Sequence, residues 1–262
     1  MLHPTIPTSD TDRICHAVGV LAPRWTSWTL ETLHEHGPMR AHQLTATMPW
    51  LNATTTRQVL MRMQSSGLLT KPDRGCYTAS PLGQDARPAH RALASWHARH
   101  FEVGATSRKR ADRVEDALAR LRGKGTIEVL TALEQNGPLR PTDLRQTTHL
   151  ATGSFHYRMR QVLEDGLVTR LGPGQHFAYT LTQTGRSLAP VYVELHDFGR
   201  RIRSADVAAT ANQWSAETSR ARAARQRTAS APAVTGLFSH PPEPQPRVPA
   251  HIVALSHPSR TR

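Results

Sequence analysis

A set of residues that returns after 100 positions constrains this chain more than any other feature of it. Leu21, Thr26, Leu30, Leu33, Gly37, Pro38, Arg40, Leu44 and Thr47 reappear as Leu121, Thr126, Leu130, Leu133, Gly137, Pro138, Arg140, Leu144 and Thr147. A one-residue deletion then aligns SSGLL (65–69) with EDGLV (164–168), and a three-residue insertion aligns YTASPLGQDARP (77–88) with YTLTQTGRSLAP (179–190). Self-similarity at a fixed period reads as one structural unit used twice. Both length changes fall where loops are expected, before a recognition helix and in a wing. A chain of 262 residues has room for two such units of ordinary size.

Each copy reads as the same series of elements. Helices are expected at about 12–22 and 112–122, and at about 25–36 and 125–136, the latter pair ended by Gly-Pro. Short helices follow near 40–48 and 140–147, and longer ones over about 53–65 and 152–164, stopping at Gly67 and Gly166. A hairpin comes next. It is clearest in the second copy, where VTRL leads through GPGQH into FAYTL and Phe177, Tyr179 and Leu181 alternate. A longer helix closes each copy. The expected fold is mainly α with small β-hairpin wings, arranged as two tandem winged helix-turn-helix domains. The expected boundaries are a flexible N-terminus (1–11), a first domain (12–101), a linker (102–111), a second domain (112–204) and a basic, Pro-rich, largely disordered tail (205–262).

The fourth helix of each copy has the face a major groove requires. Thr56, Leu60 and Met63 are spaced to point inward, which turns Thr54, Arg57, Gln58 and Met61 outward. In the second copy Phe155, Met159 and Val162 point inward, and Gly153, His156, Tyr157 and Arg160 outward. Arginine and glutamine make the paired hydrogen bonds that distinguish guanine and adenine. Asn52, Thr54 or Thr55 at the helix start can bond phosphate beside free backbone N–H groups. Lys71 and Arg74 on one wing, and Arg170, Gln175 and His176 on the other, can reach flanking phosphate or the minor groove. The different outer faces imply two different half-sites. The expected partner is double-stranded DNA.

Charge agrees with that reading without proving it. Lys and Arg number 33 against 20 Asp and Glu, a surface that attracts polyanions, although an Arg-rich, Lys-poor composition also follows from a GC-rich genome. Two cysteines, Cys15 and Cys76, match neither a disulfide framework nor a metal or redox-pair spacing, so a reducing, cytoplasmic setting is expected. No basic leader and no apolar run long enough to span a bilayer is found. Fifteen histidines are scattered: His34 and His36 point to different faces, and His97 and His100 share one without a cysteine partner or an HExxH pattern. No metal and no cofactor is expected. A phosphate loop, nucleophile elbow and paired-carboxylate motif are all missing, which argues against an enzyme.

With those elements placed, the first copy resembles HxlR-type winged helix regulators of bacteria. The resemblance lies in Pro23-Arg24-Trp25-Thr26, Gly37, Gly67-Leu68-Leu69 and Tyr77-Thr78 through Gly83. The second copy carries Gly123-Lys124-Gly125-Thr126, Gly137, Gly166-Leu167-Val168 and Tyr179-Thr180-Leu181-Thr182 through Gly185, without the tryptophan. Its Gly153-Ser154-Phe155-His156-Tyr157 also looks like the recognition helix of ArsR-type domains. The resemblance covers about 12–203 and implies a sequence-specific transcriptional regulator. The alternatives are a non-catalytic protein-interaction module and a ligand- or redox-responsive regulator. Family members carry a sensing cysteine near the N-terminus; Asp12 stands at that position here, and Cys15 lies about one turn nearer Trp25. The family also dimerises through first and last helices. Leu188, Val191, Leu195, Phe198 and Ile202 form a matching stripe, and Ala86, Ala89, Leu93, Trp96 and His100 a weaker one. Such stripes can serve a homodimer, the chain's own domains, or an intramolecular pseudo-dimer.

The linker's Ser107-Arg108-Lys109-Arg110 could touch backbone phosphate or form a solvated hinge. The tail carries seven arginines against one glutamate after residue 217, which suits sequence-blind affinity for DNA.

Overall fold

A computed structural model describes residues 8–72, 75–101, 109–173 and 176–207. They lie within one compact unit, Met1–Thr210. Arg74, Gln175, linker residues 102–108 and the tail beyond 207 lie outside the described residues.

The first half runs α1 (Thr8–Leu21), α2 (Thr26–His36), β1 (Met39–Arg40), α3 (Ala41–Thr47), α4 (Ala53–Ser65), β2 (Leu69–Thr70), β3 (Cys76–Ala79), α5 (Pro81–Asp85) and α6 (Arg87–Phe101). The second half runs α7 (Arg110–Leu121), α8 (Thr126–Asn136), α9 (Pro141–Thr148), α10 (Thr152–Glu164), β4 (Val168–Leu171), β5 (Ala178–Leu181) and α11 (Gln183–Arg186), then α12 over 189–207. The order is the same twice. The helices differ from the expected ranges mainly at their ends: α1 already begins at Thr8, α7 at Arg110, and α12 continues past residue 204.

The closing helices differ from expectation in a way their residues explain. Each is broken into a short piece and a long one. Ser80 caps α5 by accepting from the Gly83 N–H at 3.0 Å while donating to the Gly67 carbonyl at 2.5 Å. Thr182 does the same at α11, accepting from Gly185 at 3.1 Å and donating to Gly166 at 2.6 Å. The short helix is thereby pinned to the turn after the fourth helix. A Cβ on Gly83 would stand 2.2 Å from the Leu68 carbonyl oxygen, and one on Gly185 2.3 Å from that of Leu167. Only glycine allows that approach.

The wings are antiparallel hairpins. Leu69 pairs with Ala79 and Thr70 with Thr78, and β1 joins the other edge through Met39 with Tyr77 and Arg40 with Cys76. In the second half β4 and β5 pair from Val168–Leu181 to Leu171–Ala178, and Leu139 bridges to Tyr179. The N-cap of α2 is Trp25 in a left-handed conformation with φ of 72°; Gly125 takes the equivalent place at 87°. A tryptophan there carries strain that the glycine avoids.

The two halves share one core. α1 packs on α7 and α8, α2 on α7, and α6 on α7. α12 closes on α1, where Gly199 meets the Arg13 backbone and Asp10, Arg13 and His196 join, with Arg13 to His196 at 2.9 Å. At matching places Arg201 pairs with Asp85 and His100 meets the Ser187 hydroxyl at 2.7 Å. Leu188, Val191, Leu195, Phe198 and Ile202 are all buried within the chain, as are Ala86, Ala89, Leu93 and Trp96. Trp96 Nε1 donates to the Thr184 carbonyl of the other half at 3.2 Å. The expected seam is therefore used inside the molecule.

Candidate nucleic-acid interface

The fourth helix of each half is positioned by what it buries. In α4, Thr56, Val59, Leu60 and Met63 are buried; in α10, Phe155, Met159 and Val162 are. The outward residues follow. Thr54, Arg57, Gln58 and Met61 are exposed, Met61 by 68%. His156, Tyr157 and Arg160 are exposed on α10, and neither face is covered by the other half. A methionine left this open costs solvation and offers an apolar contact of the kind a thymine methyl accepts.

An arginine on the flank of each of these two helices fixes it to the start of the second helix. Arg62 donates to the Arg24 carbonyl at 2.9 Å and to the Thr26 hydroxyl at 3.1 Å. Arg158 donates to the Lys124 carbonyl at 3.0 Å and also pairs with Gln161. Gln161 in turn donates to the Tyr157 hydroxyl at 3.0 Å, with the guanidinium groups of Arg158 and Arg160 at 5.6 and 5.9 Å from its ring. Tyr157 is thus hydrogen-bonded at its hydroxyl and flanked by two guanidinium groups. Sequence reasoning missed Arg62, Arg158 and Gln161; basic or amide residues on a half-buried flank give no periodic signal.

The helix starts differ. Asn52 caps α4 by accepting the Thr55 N–H at 2.7 Å through its side-chain oxygen, which leaves its amide NH2 group for an acceptor such as phosphate. α10 starts at Ala151 with no side-chain cap, and Arg145 reaches the Thr152 hydroxyl there at 3.2 Å. An uncapped N-terminus beside a guanidinium suits an anion.

The wing residues divide. His156 and Arg160 of α10 meet Arg170 of β4 around a groove of about 430 Å³, floored by Met159 and Tyr179. Arg170 lies 4.9 Å from the Phe177 ring. Tyr157 and His176 are exposed outside that groove. Lys71 is exposed near its wing turn, with Nζ 5.3 Å from the Tyr77 ring. Lys109 and Arg110 are not a bare hinge: Lys109 sits 5.2 Å from the Trp28 ring and Arg110 pairs with Glu31.

The geometry up to this point is a helix-turn-helix with a wing. Residues 120–206 match the HxlR-like helix-turn-helix family. This is a likeness of part of the chain, not of its whole length. It falls on the half that lacks the tryptophan at the start of its second helix. No curated protein matches the chain.

The cysteine that the HxlR resemblance drew attention to is a free thiol, half-buried on α1. Burial, then the Glu128 and Asp12 carboxylates, push the Cys15 thiol up to about 12, far from the thiolate that reacts with oxidants. Asp12 holds the expected position, and at the matching place Asp112 accepts from Trp28 Nε1 at 3.1 Å, a structural link between halves. Among the described residues no cluster of three or more metal-ligating side chains occurs, and no helix is long and apolar enough to cross a membrane.

Proposed function

We propose that this chain is a sequence-specific transcriptional regulator in which two winged helix-turn-helix modules, packed against each other as an intramolecular pseudo-dimer, present α4 and α10 to the major groove. The observation that carries the reading is the pairing of two corresponding helices, each anchored by an arginine to the second helix and each leaving a polar, cationic face open. Arg57 and Gln58 supply paired donors and acceptors for guanine and adenine. His156, Tyr157 and Arg160 supply a different set, so the two halves read unlike half-sites. Lys71, Arg170 and His176 contact flanking phosphate, and the start of α10 receives a phosphate oxygen.

A band-shift titration on the DNA upstream of the chain's own coding region, over a salt series, tests this. Arg57→Ala and Arg160→Ala should each weaken specific binding by about 1–3 kcal/mol and relax preference at one base, whereas Lys71→Ala should weaken all sequences alike and lower the salt slope by about 1. A protein that binds no duplex at low salt would not be such a regulator.

A further inference from the structure

We infer that the cavity between α2, α6 and α7, lined by Glu31, His34, Arg87, His90, Arg91 and Arg110, binds a small dianion of the phosphate-monoester or dicarboxylate type. It encloses about 270 Å³, room for several waters at roughly 30 Å³ each and so for a phosphate ester or short dicarboxylate, but not a nucleotide chain.

The first observation is His90. It is 5% exposed, lines the cavity, and its Nε2 finds no hydrogen-bond partner among the described residues; the same holds for His34 Nε2 beside it. A buried polar nitrogen left unpaired carries its full desolvation cost, which a ligand atom in the cavity would offset. The second is charge. Three guanidinium groups face one carboxylate there, 3 − 1, leaving two positive charges in excess. The carboxylate, Glu31, is itself paired with Arg110, which leaves Arg87 and Arg91 to meet an incoming anion. The third is position: Arg87, His90 and Arg91 all stand in the first turn and a half of α6, the positive end of its dipole. Burial comes first in holding both imidazoles below their ordinary range, followed by Arg87 and Arg110 at His34 and by His34 and Arg110 at His90, which is brought to about 3.

The second half shows that the fold does not require these residues. At the corresponding positions stand Thr131, Glu134, Ala189, Tyr192, Val193 and Asp10, without a single cation. Arg87 and Arg91 are both exposed, which leaves the cavity open to solvent. It lies where α2 and α6 pack on α7, the seam between the halves. Given the proposed DNA-binding function, occupancy here would set the relative placement of α4 and α10.

Calorimetric titration of the full chain at constant ionic strength, with inorganic phosphate and succinate as separate arms, tests the site without DNA. At least one anion should bind saturably, and the Arg87→Ala/Arg91→Ala variant, altered only at exposed positions, should weaken it by at least about tenfold. Arg122→Ala/Arg203→Ala, also exposed and away from the cavity, should bind as the unaltered chain does. No saturable binding of either anion up to about 10 mM would overturn the assignment. So would binding that Arg87→Ala/Arg91→Ala leaves unchanged, or displacement of the anion by saturating duplex, which would make these arginines a phosphodiester contact. Because no DNA is present in the first titrations, their failure is separate from failure of the regulator reading.

Discussion

Glu115 and Cys15 occupy matching positions on α7 and α1, and both are pressed into the seam between halves. Burial raises the Glu115 carboxyl to about 7; the Trp25 backbone N–H and the Arg24 and Arg62 guanidinium groups pull it back, and Asp112 adds to the rise. An acid whose folded pKa exceeds its unfolded value holds its proton more tightly when folded. Its contribution is therefore full at pH 4–5, falls as pH rises toward 7, and stays low above that. His90 works oppositely: depressed to about 3, it stabilises the fold above its ordinary value and loses this as pH drops. The two overlap, so Glu115 has to be isolated by difference. Glu115→Gln keeps an acceptor for Trp25 and should match the unaltered chain in melting temperature near pH 4.5 but exceed it increasingly up to pH 8. A constant difference across that range would mean that Glu115 is already ionised in the fold. None of this was legible in the sequence, where a glutamate on an amphipathic helix reads as solvated; its burial depends on the partner half.

At the scale of elements the sequence was far more readable. The 3.6-residue spacing that places Thr56, Leu60 and Met63 on one side of α4 also decides that Arg57, Gln58 and Met61 lie on the other, because a helix cannot bury one set without turning out its complement. Hence the candidate interface came from local pattern alone. Val59, buried beside them, was not expected, since it lies off the i, i+4, i+7 stripe and widens it. The two-residue β1 and the break between α5 and α6 were missed for another reason: both rest on contacts across the fold, with Tyr77 and with the turn at Gly67. Gly83 marks that contact. Gly83→Ala would push a methyl group onto the Leu68 carbonyl, which backbone cannot relieve by changing rotamer, and should cost about 1–3 kcal/mol. Urea unfolding followed by circular dichroism should show a lower midpoint at unchanged slope. An unchanged midpoint would mean that α5 can shift away from the turn at no cost.

How the halves meet could not be read from either alone. The stripe from Leu188 to Ile202 has the spacing of a coiled-coil seam, yet spacing does not say which surface covers it, and here it is buried within the same chain. A seam covered from within the chain does not call for a twin to bury it, so sedimentation at micromolar concentration should give the mass of one chain; a stable dimer would contradict the pseudo-dimer arrangement. The contact that decides it is Gly199 on α12, where a Cβ would come within 2.3 Å of the Arg13 carbonyl oxygen on α1. Gly19 provides the comparison, being an exposed helical glycine of α1 with nothing within 4 Å of an added Cβ. Helix propensity favours alanine over glycine by about 0.8–1.0 kcal/mol at both positions. Gly19→Ala should therefore stabilise. Gly199→Ala should instead lose about 1–3 kcal/mol net, because the added methyl group must part α12 from α1. If the seam sets the spacing of α4 and α10, Gly199→Ala should also lose affinity for a site with both half-sites while retaining its affinity for one. Equal losses on both DNAs, or stabilisation by both substitutions, would show that the two halves do not depend on this packing.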